Sequence, residues 1–206
     1  VASGVCREVY YVRILESFDI GTWAGDANQD ELGWGRPAGD PGHAADIEKA
    51  TAPFGDAVEA LAELLGAEID AIRCEVDFAH ATTDLNVTNR NVTAGTVAGI
   101  DAKWFGSRAG TDLIEVNVRW TITPFLDPAW EVAMAYQIEV RGHPQVNVRA
   151  EVLPQDFESM SLEEMLAIGS VITAMPVVNA IPAVVDARPG IVTYADLPAQ
   201  SSRFAS

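Results

Sequence analysis

The stretch "IDAIRCEVDFAHAT", Ile69 to Thr82, constrains the fold more than any other part of the chain. Ile72, Cys74, Val76, Phe78 and His80 alternate with Arg73, Glu75 and Asp77. A period of two belongs to a strand with one face buried and the other wet. Such a strand needs neighbours, and strand signals follow around Gly95 to Phe105, Asp112 to Thr123, Val132 to Arg141 and Gln145 to Leu153. Short turn-like breaks, "SRAG", "PFLDPAW" and "GHP", separate them and predict an antiparallel meander. "VYYVRILE", Val9 to Glu16, is rich in β-branched and aromatic residues and reads as a first strand.

Between the first strand and the rest lie a loop and a helix. The loop, residues 17–43, is full of Gly, Asp, Asn and Pro, and its length points to a binding loop or a lid. Ile47, Thr51, Phe54, Val58, Leu61 and Leu65 then form one apolar stripe, closed by Gly66. Pro53 is awkward inside that stripe. Either the helix proper begins near Pro53, with Thr51 or Ala52 as its cap, or it kinks there.

The C-terminal quarter changes character. Ser161 with Glu164 three residues on is a capping box opening a helix that runs to about Met175, where Pro176 is expected to stop it. "VVNAIPAVVDA" reads as a second apolar helix ending at "RPG". The predicted order is strand, loop, helix, a run of strands and two apolar helices over residues 161–190: an α+β domain spanning 1–206, its sheet mostly antiparallel or mixed and covered by a helix. The apolar C-terminal run, broken by Pro176, Pro182, Asp186 and Arg188, reads as too short and too interrupted to cross a bilayer. Thirty acidic against 13 basic residues give a formal charge of −17, which disfavours nucleic acid and anionic membrane surfaces. No secretory signal is recognised, and a cytoplasmic location is expected.

Few residues offer chemistry on their own. Cys6 and Cys74 form no framework or metal pair and read as buried free thiols. "GWGRPAG", Gly33 to Gly39, has the wrong spacing and lacks the strand–turn–helix context of a dinucleotide loop, so it reads as structural. His43, His80 and His143 stand at no metal-ligand spacing. His80 reads as a partly buried core histidine and His143 as a turn residue. His43, where the long loop meets the helix, has the best access to a cleft. Phe18, Trp23 and Trp34 in the loop either tack it to the body or line an apolar pocket. No catalytic set and no metal site can be assembled from these residues.

The order and wording of the segments resemble the C-terminal part of the dihydrodipicolinate reductase-like oxidoreductases. That group includes 2,4-diaminopentanoate dehydrogenase and the NAD(P)-dependent amine dehydrogenases. The resemblance rests on "ESFDIGTW", "LGWGRP", "AGTVAG", "RWTITPFLDPAW" and, above all, "SLEEMLAIGSVITAMPVVNAIPAVVDARPGIVTYADLP". It implies a substrate-binding and dimerisation domain whose N-terminal Rossmann partner, absent from this chain, binds NAD or NADP. The isolated chain would then bind no nicotinamide cofactor tightly and would be inert. The chain begins at Val1 and enters a strand almost at once, as a piece of something longer would.

The resemblance further implies a small amine, ketone or amino-acid-like substrate and a homodimer, with no nucleic acid or membrane partner. Phe18 and Trp23 match positions that wall the substrate pocket, where the family often has tyrosines, and His43 lies near a pocket histidine. Thr173 would approach the substrate, and Met175 and Asn179 the nicotinamide. The competing class is a non-enzymatic α+β module whose aromatic loop holds a small apolar ligand.

Overall fold

The structure is a computed structural model in which residues 2–21, 31–87, 90–153 and 161–198 are described. Where one domain was expected, the chain divides into two compact units, Val1–Val152 and Leu153–Ser206.

The first unit is built on a seven-stranded sheet. Its strands are β1 (Glu8–Asp19), β2 (Ala71–Ala81), β5 (Val97–Arg108), β6 (Thr111–Thr121), β7 (Leu126–Asp127), β8 (Ala135–His143) and β9 (Val146–Ala150). Two short strands, β3 (Leu85–Val87) and β4 (Arg90–Val92), pair separately as a hairpin. The order across the main sheet is β7-β2-β5-β6-β1-β8-β9. The expected meander is interrupted: β1 inserts between β6 and β8, parallel to β6 and antiparallel to β8. The other pairings in this sheet are antiparallel, so it is mixed. β1 is apolar or aromatic on much of both sides, which suits a strand with a neighbour on each edge.

The strand that constrained the reading behaves as its period requires up to Phe78. There a register shift between Ala79 and His80 breaks the alternation, and Ala79 rather than His80 is fully buried. The buried face of the sheet is covered by α1 (His43–Ala50) and α2 (Pro53–Leu65). The single stripe is therefore carried by two helices, because Pro53 is the first residue of α2 after Ala52 at the cap. Gly66 closes α2 with φ +64°, a conformation that costs other residues strain. Val58 and Ala62 of α2 pack on Trp104, Ile114 and Val116.

α2 comes close to the sheet because glycine stands on both surfaces. A Cβ on Gly55 would lie 2.9 Å from the Trp104 ring, and one on Gly106 would lie 2.6 Å from Val58. The α1–α2 junction is tied to the same place by Thr51, which is fully buried. Its hydroxyl donates to the Ile47 carbonyl at 2.8 Å and accepts from Trp104 Nε1 at 3.1 Å, so neither polar group is stranded in the core.

The opposite face of the sheet is polar and its charges are paired. Arg73 grips Asp112 with two bonds of 2.6 and 2.9 Å. Lys103 meets Asp77 at 2.6 Å, Arg13 meets Glu115 at 3.0 Å and Arg119 meets Asp101 at 2.6 Å.

The second unit contains α3 (Leu162–Asp186), and here the expected pair of helices is one helix of 25 residues. Pro176 and Pro182 sit in its interior rather than ending it. Each removes one backbone hydrogen bond, yet a helix of this length keeps enough others to continue through them. Thr173 donates its hydroxyl to the Gly169 carbonyl at 2.9 Å, one turn back. Being unbroken alters the membrane argument. Ala167–Asp186 is 20 residues long with mean hydropathy 1.8, enough by length and composition to cross a bilayer. The interruptions read from the sequence do not exclude a span.

Candidate functional site

Phe18 lies not in a loop but near the end of β1, 4% exposed, because the strand runs three residues past its predicted limit to Asp19. Its ring meets that of Tyr136 edge-on, with centroids 5.2 Å apart. Trp23 lies outside the described residues. Trp34 is buried in the core beside Leu32 and Ile47, so this loop aromatic tacks the loop down.

His43 is placed otherwise than its expected cleft position suggests. It opens α1 and is 1% exposed. Nε2 is 2.7 Å from the Leu32 carbonyl, and the ring stacks on Phe78 at 4.5 Å. A residue held in this way joins loop, helix and strand and presents almost no surface to a ligand. Sequence position put it at the mouth of the loop, but the direction in which its side chain turns is decided by packing on β2.

"GWGRPAG" is a structural loop, as read. Gly33, Gly35 and Gly39 have positive φ. Arg36 pairs with Asp40 at 2.9 Å and Asp46 at 2.5 Å, and Pro37 bridges to Thr96. The loop is thereby occupied with its own contacts among the described residues. Cys6 and Cys74 are free thiols, partly rather than fully buried, and burial pushes the Cys74 thiol up to about 11. Among the described residues no group of His, Cys, Asp and Glu is placed to hold a metal ion.

Around Phe18 the structure also gathers residues to which the sequence reading gave no site role. On the buried-face side, β1 contributes Glu16 and Phe18, β6 contributes Trp120, and β8 contributes Tyr136. Phe18 is in register with Trp120 across the parallel pair, and Glu16 with Tyr136 across the antiparallel pair. Trp120 Nε1 donates to Glu16 Oε1 at 3.0 Å. Phe54, from the first turn of α2, approaches the Trp120 ring edge-on at 6.0 Å. Burial raises the Glu16 carboxyl above the usual glutamate value, against the lowering effect of the Trp120 bond. Burial first, and the Glu16 charge second, push Tyr136 up to about 12. The available signal was a glutamate at an inward-alternating position of an apolar strand, visible in "VRILESF".

In the second unit, Met175 is exposed and Asn179 is partly buried, one helical turn apart on α3. They stand among apolar residues open to solvent: Val177 at 64%, Ile181 at 54% and Val185 at 75% exposure. A groove of about 400 Å³ runs along the same helix against the returning segment, lined by Val177, Ile181, Val184, Val185, Tyr194 and Leu197 among others.

The first unit thus has a polar sheet face and an aromatic and acidic cluster, and the second an apolar helix with Val177, Ile181 and Val185 exposed. Residues 45–205 match the model of the 2,4-diaminopentanoate dehydrogenase C-terminal domain, and the chain belongs to that family of oxidoreductase domains. It is similar to an amine dehydrogenase of Streptomyces virginiae, 26% identical over 205 residues, which is 95% of this chain and 55% of that protein. Its fold is similar to that of the solved amine dehydrogenase from Mycobacterium smegmatis, with a TM-score of 0.68 at 16% identity, covering 98% of this chain and 55% of that one. The chain thus spans about half the length of the relatives it matches. Among its described residues there is no doubly wound parallel sheet, so the Rossmann fold expected of a nicotinamide-binding domain is absent here.

Proposed function

We propose that this chain is the substrate-side and dimerisation domain of a cytoplasmic NAD(P)-dependent oxidoreductase acting on a C–N centre. The observation that carries this reading is the exposed apolar length of α3 in a chain about half as long as its dehydrogenase relatives. Apolar patches of this extent are interaction surfaces. The cover assigned to it is the cofactor domain of the same polypeptide. Within the second unit, Met175 and Asn179 are assigned to the nicotinamide and Thr173 to the substrate; within the first, His43 is a fold residue.

No chemical step is assigned to the described residues. The cofactor supplies the hydride chemistry; this domain orients the substrate and excludes water. The test is amine-dependent reduction of NAD or NADP, followed by nicotinamide absorbance. A chain extended upstream to the length of the relatives is expected to turn over a primary amine, and the 206-residue chain is expected to be inert. Turnover by the short chain, or no turnover by the long one across a panel of amines, overturns the reading.

A further inference from the structure

The sheet of the first unit has one face covered by α1 and α2 and another that no described helix of that unit covers. Trp130 and Ala133 close over one end of the second face, at Gly99 and Ser17. The rest is open, and its charges are arranged unlike those of the whole chain. Arg13, Arg73, Lys103, Arg119, Arg141 and Arg149 each meet an acid at 2.6–3.0 Å. These pairs sum to zero, so the formal charge of −17 is carried by the remaining residues. Asp19 and Glu75 share this side, the latter 3.3 Å from Arg73. Two copies of so acidic a chain repel one another, and least where the charge is neutralised in place.

The same face holds a depression of about 410 Å³ over β1, β8 and β9. Arg13, Glu139 and Arg149 line it together with three carboxamides, Gln137, Gln145 and Asn147. Its arginines already serve Glu115 and Glu151, which makes it a poor site for a small anion. A carboxamide donates and accepts at once. A surface of carboxamides and paired charges is therefore complementary to a second copy of itself across a two-fold axis. The size is also adequate. Six strands, β2, β5, β6, β1, β8 and β9, spaced by about 4.8 Å and reaching 12 residues at about 3.3 Å each, give an area on the order of 800 Å². One partner of a stable interface contributes about that much.

We propose that this face of the sheet packs on the same face of a second copy of the chain, with the depression over β1, β8 and β9 inside the contact. The proposal names the surface for the dimerisation read above and rests on that reading; it requires neither cofactor nor amine.

The experiment is sedimentation of the 206-residue chain over a range of concentrations, with two doubly substituted variants. Gln145→Glu with Asn147→Glu places two further acids per copy in the contact, beside Glu139. Both residues are exposed, uncharged and bonded to each other at 3.4 Å, so the urea midpoint is expected to stay where it was. Val177→Asp with Ile181→Asp removes association through the exposed apolar face of α3. The expected result is a dimer that survives the α3 changes and whose dissociation constant rises about a hundredfold or more with the sheet-face changes. A monomer throughout overturns the proposal and the dimerisation reading together. A dimer unmoved by the sheet-face changes, or lost only with the α3 changes, overturns the proposal and leaves dimerisation standing. Should the sheet-face variant fail to fold, Asn147→Trp, whose bulk would hold the two faces apart, is read in the same way.

Discussion

Ile181→Asp together with Val177→Asp, in a chain extended to the length of its relatives, is expected to lower amine-dependent reduction of NAD(P) by about a hundredfold or more. The two residues are one helical turn apart on α3 and are 54% and 64% exposed, so they share a face, which also lines the groove against the returning segment. If that face docks on the cofactor domain, two carboxylates must be stripped of water there, at a cost of several kcal/mol unless they find partners. At about 1.4 kcal/mol per factor of ten, that is enough to undo a docked arrangement. In the 206-residue chain the same changes are expected to reduce binding of a hydrophobic dye while leaving the urea midpoint of the first unit unmoved. Unimpaired turnover in the doubly substituted long chain would mean that α3 is covered by something else.

The second large effect is on stability. Arg119→Met is expected to cost about 3–5 kcal/mol, measured by urea denaturation. Asp101 is 2% exposed, and its Oδ2 accepts from Arg119 Nε at 3.0 Å and Nη2 at 2.6 Å. The guanidinium also lies 5.5 Å from the Trp130 ring, whose position is fixed against Gly99, where a Cβ would come within 2.9 Å of it. Methionine replaces the stem of the arginine but leaves a buried carboxylate without its hydrogen-bonded cation, with Lys103 as the remaining positive charge that acts on it. Pairing the change with Asp101→Asn should return much of the loss, because the stranded charge is then gone. A single-variant loss under about 1 kcal/mol would mean the pair behaves as an exposed one.

Local chemistry made much of the fold legible. Period-two alternation located β2 and showed which face is buried until a bulge at Ala79 and His80 intervened. Gly66 marked the end of α2, and Pro53 its start. Strand order was not legible, because β1 pairs with β6 and β8, partners about a hundred residues away, and turn signals speak only for neighbours in sequence. The prolines of α3 misled for a related reason. Pro176 and Pro182 are poor helix residues locally, but the cost of each is spread over a 25-residue helix.

Side-chain direction was not legible in the sequence. Phe18, singled out from the loop-side motif, is 4% exposed and meets the Tyr136 ring edge-on. His43, chosen for its place at the loop mouth, turns inward onto Phe78 instead. Glu16 was overlooked because a lone glutamate in a strand is ordinarily solvated. Only the register with Tyr136 and the bond from Trp120 show its unusual surroundings.

The measurement that bears most directly on the central claim is a titration with NADH and NADPH, following tryptophan quenching and nicotinamide emission. It compares the 206-residue chain with one extended upstream by a Rossmann-sized domain, about 150 residues. The account predicts saturable binding of one or both nucleotides by the extended chain and none at comparable concentrations by the shorter one. Tight binding by the shorter chain, or no binding by either, would contradict it.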